Sequence, residues 1–463
     1  MYNSDVKKIC IIFCSSEYNS WLDNNIISSL STNYRLETVI LNSNQNSVKT
    51  FNFEYGKPLK SMHCLYLLNQ IAHLNGSKSF KFRLKRMYLG SVNLSGSNLS
   101  SLEKIRGLFS TLKTFVGFSR TNYLQIVAFS RVLRIFLEFY YRKKFRSDLH
   151  KVQKSNKNFI KNLGADLIIF PTGGADLLPF ELLALCKLEK KDTMFVIENW
   201  DNLTSKTTFP FNPNFITVMG EKSALQAHNI HGFPLENIAI TGLPRFQNYS
   251  ENKKDTNTRA INSDLKKILY LGYSLEYNEE RIVKQIFSHL QDNYLRSNFE
   301  VHYKPHPFRR KRFLENNIQV DKINNFSEIK IWKENSRTIK SLPLVNDNYL
   351  SFLRSFDIVI STPTTMALEV MLLDIPCIID SLDDGIHITS PSHSMKKYLH
   401  LEDLVDIPEL KIAKTESEML IHLDELMKSK TNFQNYSMKD IIETQQNFST
   451  NLIAFLEKSN LIS

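Results

Sequence analysis

Cysteine is scarce in this sequence, and its spacing is not that of a metal site or a disulfide framework. The five cysteines among 463 residues are scattered, mostly within apolar runs, and none forms a CxxC pair. They are Cys10, Cys14, Cys64, Cys186 and Cys377. An odd, dispersed set favours reduced thiols in the cytoplasm and argues against a disulfide-stapled fold or a zinc centre.

Long apolar runs are also missing. No stretch approaches the ~20 uncharged apolar residues that a transmembrane helix needs. Residues 1–5 are polar, and the apolar run at residues 9–13 is too short for a signal peptide. We therefore expect a cytoplasmic protein that does not span a membrane.

Several common catalytic motifs do not occur. The sequence has no Walker loop, GxGxxG fingerprint, GxSxG elbow or HExxH pair, which argues against ordinary NTPases, dehydrogenases, hydrolases and zinc proteases. A DxD metal clamp is absent as a strand-end motif, since Asp383 and Asp384 are only an adjacent pair after a predicted strand. The expectation is chemistry without a metal or a cofactor, in which fixed charges and a helix dipole stabilise a departing phosphate.

The composition is that of a globular α/β protein with an excess of positive charge. With 42% hydrophobic and 23% charged residues, the chain can bury the cores of two domains. Its net charge of +11 favours a phosphorylated substrate or an anionic membrane surface as partner. Nucleic acid is disfavoured, because no recognition motif accompanies the charge and acidic residues are interspersed.

Predicted strands and helices alternate in two halves. The first half covers residues 1–247, and the polar stretch 248–263 has the composition of a linker. A second alternating half covers residues 264–436, and a helical pattern completes the chain at 437–463. This order predicts two Rossmann-like domains.

The segment Phe356–Asp380 reads as a complete strand, turn, helix and strand. Residues 358–360 form a short β-branched run, the hydroxyl-rich turn Ser361–Thr365 interrupts it, and residues 366–373 continue as a helix. A helix N-terminus with hydroxyl side chains offers N–H groups, O–H donors and a positive dipole end to a phosphate. Glu369 lies about one turn further on, where its carboxylate can accept both hydroxyls of a ribose.

Two more predicted strands end in residues suited to the same ligand. The strand beginning at residue 301 runs into Lys304-Pro305-His306-Pro307, and the strand beginning at residue 267 runs into Gly272-Tyr273-Ser274. Three parallel strands that end in such residues suit a ligand lying across the carboxyl edge of their sheet.

These motifs carry a family resemblance. KPHP, followed later by STPTT and the helix ALEVMLLDIPCII, resembles the donor half of GT-B glycosyltransferases. The pattern is similar to that of bacterial capsule and lipopolysaccharide enzymes, which include Kdo-, sialyl- and polyol-phosphate transferases. IENWDNLTSK and HGFPLENIAITGLPRF resemble segments of other surface-carbohydrate transferases, so the resemblance covers roughly residues 160–400. It implies two domains facing a cleft, with the last helix crossing back to the first domain.

The resemblance also implies a reaction and a set of nucleotide ligands. The expected enzyme is an inverting, metal-independent glycosyltransferase that moves a sugar from a CMP-, CDP- or UDP-linked donor to a surface-polysaccharide or lipid-linked glycan acceptor. The implied nucleotide-binding residues are Gly272, Tyr273, Ser274, Lys304, His306, Pro307, Ser361, Thr362, Thr364, Thr365 and Glu369.

Inverting transfer needs a general base, which we expect at a strand end of the first half. Asp201 is the first candidate, Asp176 the second and Glu198 the third. The alternative is that a loop Asp beside Asn or Gly serves as a helix cap or turn former. Further acceptor or cleft residues are predicted at Gly173, Gly174, Trp200, Asn202 and Arg245, with the Trp200 ring available to stack on a sugar.

The region 102–156 is helical in pattern, basic and rich in Phe and Leu. Such a segment suits a helix lying in an anionic membrane interface, here the inner face of the cytoplasmic membrane. The alternative is a pair of ordinary helices that pack on the first sheet and expose basic faces to solvent. The sequence leaves both interpretations open.

Other function classes compete with glycosyl transfer. A polyol-phosphate transferase with a CDP-activated donor would use the same scaffold. A sugar-nucleotide 2-epimerase shares the fold, but the dense set of carboxylates and histidines expected around its sugar is not evident in the sequence. A non-catalytic lectin or nucleic-acid-binding protein would have no use for the phosphate-binding residues.

Overall fold

A computed structural model gives the fold of part of the chain. The described residues are 7–14, 17–41, 50–53, 58–74, 77–89, 131–172, 176–249, 265–306, 323, 328–332, 347–429, 434–443 and 446–459. They form two compact units: of the described residues, unit 1 holds those up to 83, those from 131 to 248 and those from 439 onward, and unit 2 holds 84–89 and those from 249 to 438. Nearly all of the predicted linker, like the first part of the basic region at 102–130, lies outside the described residues.

Unit 1 is built on a parallel sheet of seven described strands. Their order across the sheet is β3-β2-β1-β4-β5-β6-β7, and each adjacent pair is parallel. The strands are β1 Lys8–Phe13, β2 Arg35–Leu41, β3 Thr50–Phe53, β4 Leu167–Thr172, β5 Asp192–Ile197, β6 Phe215–Val218 and β7 Ile238–Ile240. Successive strands are added in one direction from β1 to β3 and in the opposite direction from β4 onward, as in a doubly wound sheet.

Helices cover both faces of this sheet. They are α1 Glu17–Asp23, α2 Ile26–Ser31, α3 Lys60–Leu74, α4 Lys78–Leu89, α5 Arg131–Asn162, α6 Leu178–Leu188 and α7 Glu221–His231. Along β1, Cys10 and Ile12 join the core beneath α3, α5 and α6, whereas Ile9 and Ile11 join the opposite core with Trp21 of α1. This alternation follows from the two-residue period of a strand, and burial on both faces explains why β1 is apolar from Ile9 to Phe13.

Unit 2 contains a second parallel sheet, of six described strands. Its order is β10-β9-β8-β11-β12-β13. The strands are β8 Lys266–Leu271, β9 Phe299–Lys304, β10 Lys330–Ile331, β11 Ile358–Ser361, β12 Cys377–Asp380 and β13 Lys411–Ala413. The described helices are α8 Glu279–Asn293, α9 Asp347–Arg354, α10 Thr365–Leu372, α11 Pro391–Lys397, α12 Leu399–Glu402 and α13 Glu416–Lys428. The strand, turn, helix and strand predicted at 356–380 are all present.

The end of the chain packs on unit 1. Helix α14, Phe448–Lys458, buries Phe448, Leu452 and Leu456 in the core that Trp21 shares. The helix is shorter than the pattern predicted for 437–463, because residues 439–443 form backbone hydrogen bonds with the end of β6 instead. The Glu443 N–H donates to the Met219 carbonyl at 2.9 Å, and the Lys222 N–H donates to the Asp440 carbonyl at 3.0 Å.

None of the helices in the described part of the chain is long and apolar enough to cross a membrane.

Gly220 allows the returning segment to approach closely, so Gly220→Ala should destabilise unit 1. A Cβ at this position would lie 2.3 Å from the Ile441 carbonyl oxygen, and a backbone atom would have to move. We expect a loss of about 1–3 kcal/mol in the free energy of unfolding, measured by denaturant titration. Leu225→Ala is the control, because Leu225 is 53% exposed on the same helix, α7. Equal stability of the two variants would contradict this account of the return.

Candidate functional site

The carboxyl ends of four adjacent strands meet at one edge of the unit 2 sheet. Because β9, β8, β11 and β12 are parallel neighbours, the residues that follow them lie side by side. These are residues 305–306, 272–274, 362–365 and 381–384. The structure thus places most of the predicted nucleotide ligands at one edge, whereas Pro307 lies outside the described residues.

Ser361 and Thr362 shape the turn after β11. Both residues are fully buried. The Ser361 hydroxyl donates to the Thr362 carbonyl at 2.8 Å, and the Thr362 hydroxyl donates to the Leu271 carbonyl of β8 at 3.3 Å. The Thr362 hydroxyl therefore fixes the turn to the neighbouring strand, the Ser361 hydroxyl bonds within the turn, and neither faces solvent.

The two threonines that follow are accessible at the start of α10. Thr364 is the residue before the first turn, with extended backbone (φ −138°, ψ 169°), and its side chain makes no capping hydrogen bond. Thr364 and Thr365 are both partly exposed, whereas residues 367–372 are buried and hold the helix in place. The hydroxyls and the positive end of the helix dipole can therefore act together on an anion.

Gly272 joins the ends of β8 and β9. Its N–H donates to the Lys304 carbonyl at 2.9 Å. A Cβ at Gly272 would lie 3.0 Å from the His306 nitrogen and 3.0 Å from Glu279 Oε2. A side chain at Gly272 would displace the His306 backbone, so the observed position of His306 requires a glycine here.

The two basic residues of the KPHP motif differ in exposure. Lys304 is 2% exposed, and its ammonium lies 4.8 Å from the centroid of the Trp332 ring, in a cation–π contact. His306 is partly exposed at the sheet edge. Of the two, His306 is therefore the side chain placed to meet a ligand directly.

Glu369 is fully buried. Its Oε2 accepts a hydrogen bond of 2.7 Å from the Tyr349 hydroxyl of α9. The sequence predicts this carboxylate as a ribose ligand, and the structure adds a tyrosine that orients it.

A buried polar cluster lies beneath the sheet edge. Glu279 accepts hydrogen bonds from the Tyr273 N–H and from the Tyr303 hydroxyl, the latter at 2.6 Å. Asp380 accepts one from the Tyr270 hydroxyl at 2.7 Å and one from Tyr277 at 3.1 Å. Burial raises the pKa of Asp380 to about 6, although the tyrosine hydrogen bonds oppose this. Tyrosines thus supply the donors that carboxylates in an apolar interior require.

The loop after β12 carries two Asp–His pairs that the sequence interpretation missed. Asp384 Oδ2 lies 2.6 Å from His387 Nδ1, and Asp383 Oδ2 lies 3.3 Å from His393 Nε2. Burial tends to raise the pKa of Asp384, but hydrogen bonds from His387 and the backbone outweigh it and lower that pKa. The available signal was two histidines within ten residues of the Asp pair, in a loop after a buried strand.

The candidate bases of unit 1 all have partners. Asp176 Oδ1 accepts from the Leu178 N–H at 3.1 Å, two residues further on, as in the turn-former alternative, and burial raises its pKa despite that bond. Asp201 Oδ2 forms an ion pair with Lys206 Nζ at 2.6 Å. Glu198 is buried, and its Oε1 accepts a 2.8 Å hydrogen bond from the Trp21 indole.

The other residues predicted to meet an acceptor are mostly buried. Trp200 is 3% exposed, so its ring is not available to stack on a sugar in this structure. Arg245 is 7% exposed and lies over the Phe246 ring, with 5.7 Å between its Cζ and the ring centroid. Asn202 is fully buried and donates to the Thr172 carbonyl at 3.3 Å. Gly173 and Gly174 lie outside the described residues.

Two parallel α/β units, with the C-terminal helix returned to the first, define the GT-B class, and the predicted fold class is confirmed. No protein-family model matches the sequence, and no curated protein matches it.

Solved structures do resemble the chain, at low sequence identity. A putative UDP-N-acetylglucosamine 2-epimerase from Listeria monocytogenes has a TM-score of 0.51 at 10% identity, over 98% of this chain and 96% of that one. The UDP-GlcNAc 2-epimerase from Methanocaldococcus jannaschii has a TM-score of 0.49 at 12% identity, over 97% and 99% of the two chains. For Acinetobacter baumannii MurG the TM-score is 0.43 at 11% identity, over 98% and 99%. The similarity to the Listeria structure shows the fold.

Replacing the buried Asp380 should remove a pH dependence of stability. Its pKa is about 6 in the folded protein and 3.8 in an unperturbed chain, so the folded state binds the extra proton between these values. The wild type should therefore lose roughly 1–3 kcal/mol of stability as the pH rises from about 4 to 6. Asp380→Asn should lack this loss in unfolding titrations across that range.

Asp292→Asn is the control, because Asp292 is exposed on α8 in the same unit. It should follow the wild-type dependence. An Asp380→Asn curve parallel to that of the wild type would contradict the assignment.

Proposed function

We propose that this protein is an enzyme acting on a nucleotide-activated sugar and that unit 2 holds the nucleotide. The observation that carries the proposal is the start of α10. Thr364 makes no capping hydrogen bond there, and it lies at the same sheet edge as His306. A diphosphate needs several donors and a positive potential, and this edge offers both.

The neighbouring groups support the same ligand. Gly272 lets the end of β8 pack closely against the His306 backbone, which holds that histidine at the same sheet edge as the start of α10. The buried Glu369 lies one turn into α10, with Tyr349 orienting its carboxylate for a ribose. The Listeria neighbour is named for a UDP-sugar, which supports a nucleotide sugar as the substrate class.

Glycosyl transfer to a polysaccharide or lipid-linked glycan is the first candidate reaction. It requires a base in unit 1, and we favour Asp176 over Asp201. The pKa of Asp176 is raised by burial, which suits a base working near neutral pH, whereas Asp201 is committed to Lys206. A CDP-linked polyol-phosphate donor is a variant of this reaction on the same site.

Epimerisation at C2 of a UDP-linked sugar is the second candidate, and the structural comparisons favour it over transfer. The one reported neighbour with a TM-score above 0.5 is a putative 2-epimerase. The pairs Asp384–His387 and Asp383–His393 also supply the acids and imidazoles that seemed to be lacking in the sequence. Proton removal and return at a sugar carbon need such groups.

His306→Ala and Thr364→Ala should each weaken nucleotide binding by about 1–3 kcal/mol, the cost of losing a charge-assisted partner. Calorimetry with UDP, CDP and CMP measures the loss of affinity and also identifies the preferred nucleotide. The controls are His289→Ala and Thr415→Ala, since His289 of α8 pairs with Asp424 of α13 and Thr415 caps α13. Unchanged affinity in both site variants would refute the assignment.

Asp176→Asn should reduce turnover by about 100- to 10,000-fold and leave nucleotide affinity near the wild-type value, because a base contacts the reacting sugar or acceptor. The assay is incubation with UDP-GlcNAc in D2O, with and without a glycan acceptor. Deuterium incorporation at C2 without acceptor indicates epimerisation, and acceptor-dependent UDP release indicates transfer. Full activity of Asp176→Asn, with loss in Asp201→Asn or Glu198→Asn, would move the role to that residue.

A further inference from the structure

Helix α5 presents one face to the core of unit 1. Phe145 and Leu149 are buried in the main core, and Leu137 and Tyr141 pack against residues of α3. These positions repeat every three or four residues, as expected for the inner face of an amphipathic helix.

The outer face of the same helix exposes large apolar side chains. Ile135, Phe136, Phe139 and Tyr140 are 56%, 63%, 70% and 49% exposed. They fall within two successive turns, so they form one continuous patch, which we call the apolar patch. A contiguous group of this kind on a surface marks an interaction site more often than isolated exposed residues do.

A basic cluster continues this patch along the helix. Lys143, Lys144 and Arg146 are exposed in the next turns. Glu138 is the only acidic residue between 131 and 147, and it is ion-paired with Arg142 at 2.8 Å. The outer face therefore combines apolar groups with a cluster of cations, and the next acidic residue along the helix, Asp148, accepts a hydrogen bond from the Ser61 hydroxyl at 2.8 Å.

We propose that the apolar patch and the basic cluster of α5 dock unit 1 on an anionic lipid surface. Aromatic and aliphatic side chains would enter the headgroup boundary, while the long lysine and arginine side chains would reach the lipid phosphates. Charge complementarity selects this occupant over a second copy of the chain. Two copies meeting here would bring equal clusters of cations together, in a protein whose net charge is already +11.

Flotation of the full-length chain with vesicles tests the proposal. The wild type should bind phosphatidylcholine vesicles containing phosphatidylglycerol at low salt, bind pure phosphatidylcholine weakly, and dissociate as salt rises. Neutralising the basic cluster with Lys143→Gln, Lys144→Gln and Arg146→Gln should weaken partitioning by roughly 100-fold, since each cation near an anionic surface contributes about fivefold. Phe136→Ser with Phe139→Ser should weaken it at every salt concentration.

Matched controls lie elsewhere on unit 1. Arg35→Gln, Lys161→Gln and Lys190→Gln remove three exposed cations, and Leu188→Ser with Leu225→Ser removes two exposed apolar side chains. Both control proteins should bind as the wild type does.

Three results would overturn the proposal. The first is no binding to anionic vesicles, or equal loss in test and control variants. The second is dissociation of an oligomer by Phe136→Ser with Phe139→Ser, seen by sedimentation, which would assign the face to a second copy. The third is a lowered melting temperature of that variant with vesicle binding unchanged, which would mean that the patch packs within the protein.

Discussion

Parallel pairing of the strands is the constraint on which the rest of this structure depends. Parallel strands must be joined by crossovers, so helices cover the sheets and the buried strand positions are mostly apolar. The same rule collects the carboxyl ends of β9, β8, β11 and β12 at one edge. Residues far apart in sequence, such as Gly272, His306 and Thr364, thereby share one surface.

The sheet edge of unit 2 is supported by a buried polar layer. Glu279 and Asp380 would be costly in an apolar interior, and tyrosine hydroxyls satisfy them. Because Glu279 also accepts from the Tyr273 N–H, it fixes the turn that follows β8. The carboxylates beneath the edge thus hold the turns at which we propose that the nucleotide binds.

Local patterns predicted the fold better than they predicted exposure. The segment 356–380 could be read because each of its signals is local: β-branched residues, a hydroxyl-rich turn, and a Pro at the helix end. Trp200 and Ser361 are buried by residues that are distant in sequence. The loop sequence alone therefore could not show that these predicted ligand contacts are shielded from solvent. The helix predicted for the chain end was too long for the same reason, since residues 439–443 bond to the end of β6. Likewise, the Asp–His pairs form only once the loop after β12 folds back on itself.

The central claim is that a nucleotide phosphate binds at the start of α10, and hydrogen exchange of the backbone amides tests it most directly. Addition of UDP should slow exchange at residues 272–274 and 364–367, because a bound phosphate accepts hydrogen bonds from N–H groups in the first turn of α10 and restrains the neighbouring turn after β8, whose Gly272 and Tyr273 N–H groups already donate to Lys304 and Glu279. Exchange along α5 should not change. Protection confined to unit 1, with residues 364–367 exchanging as before, would contradict the account.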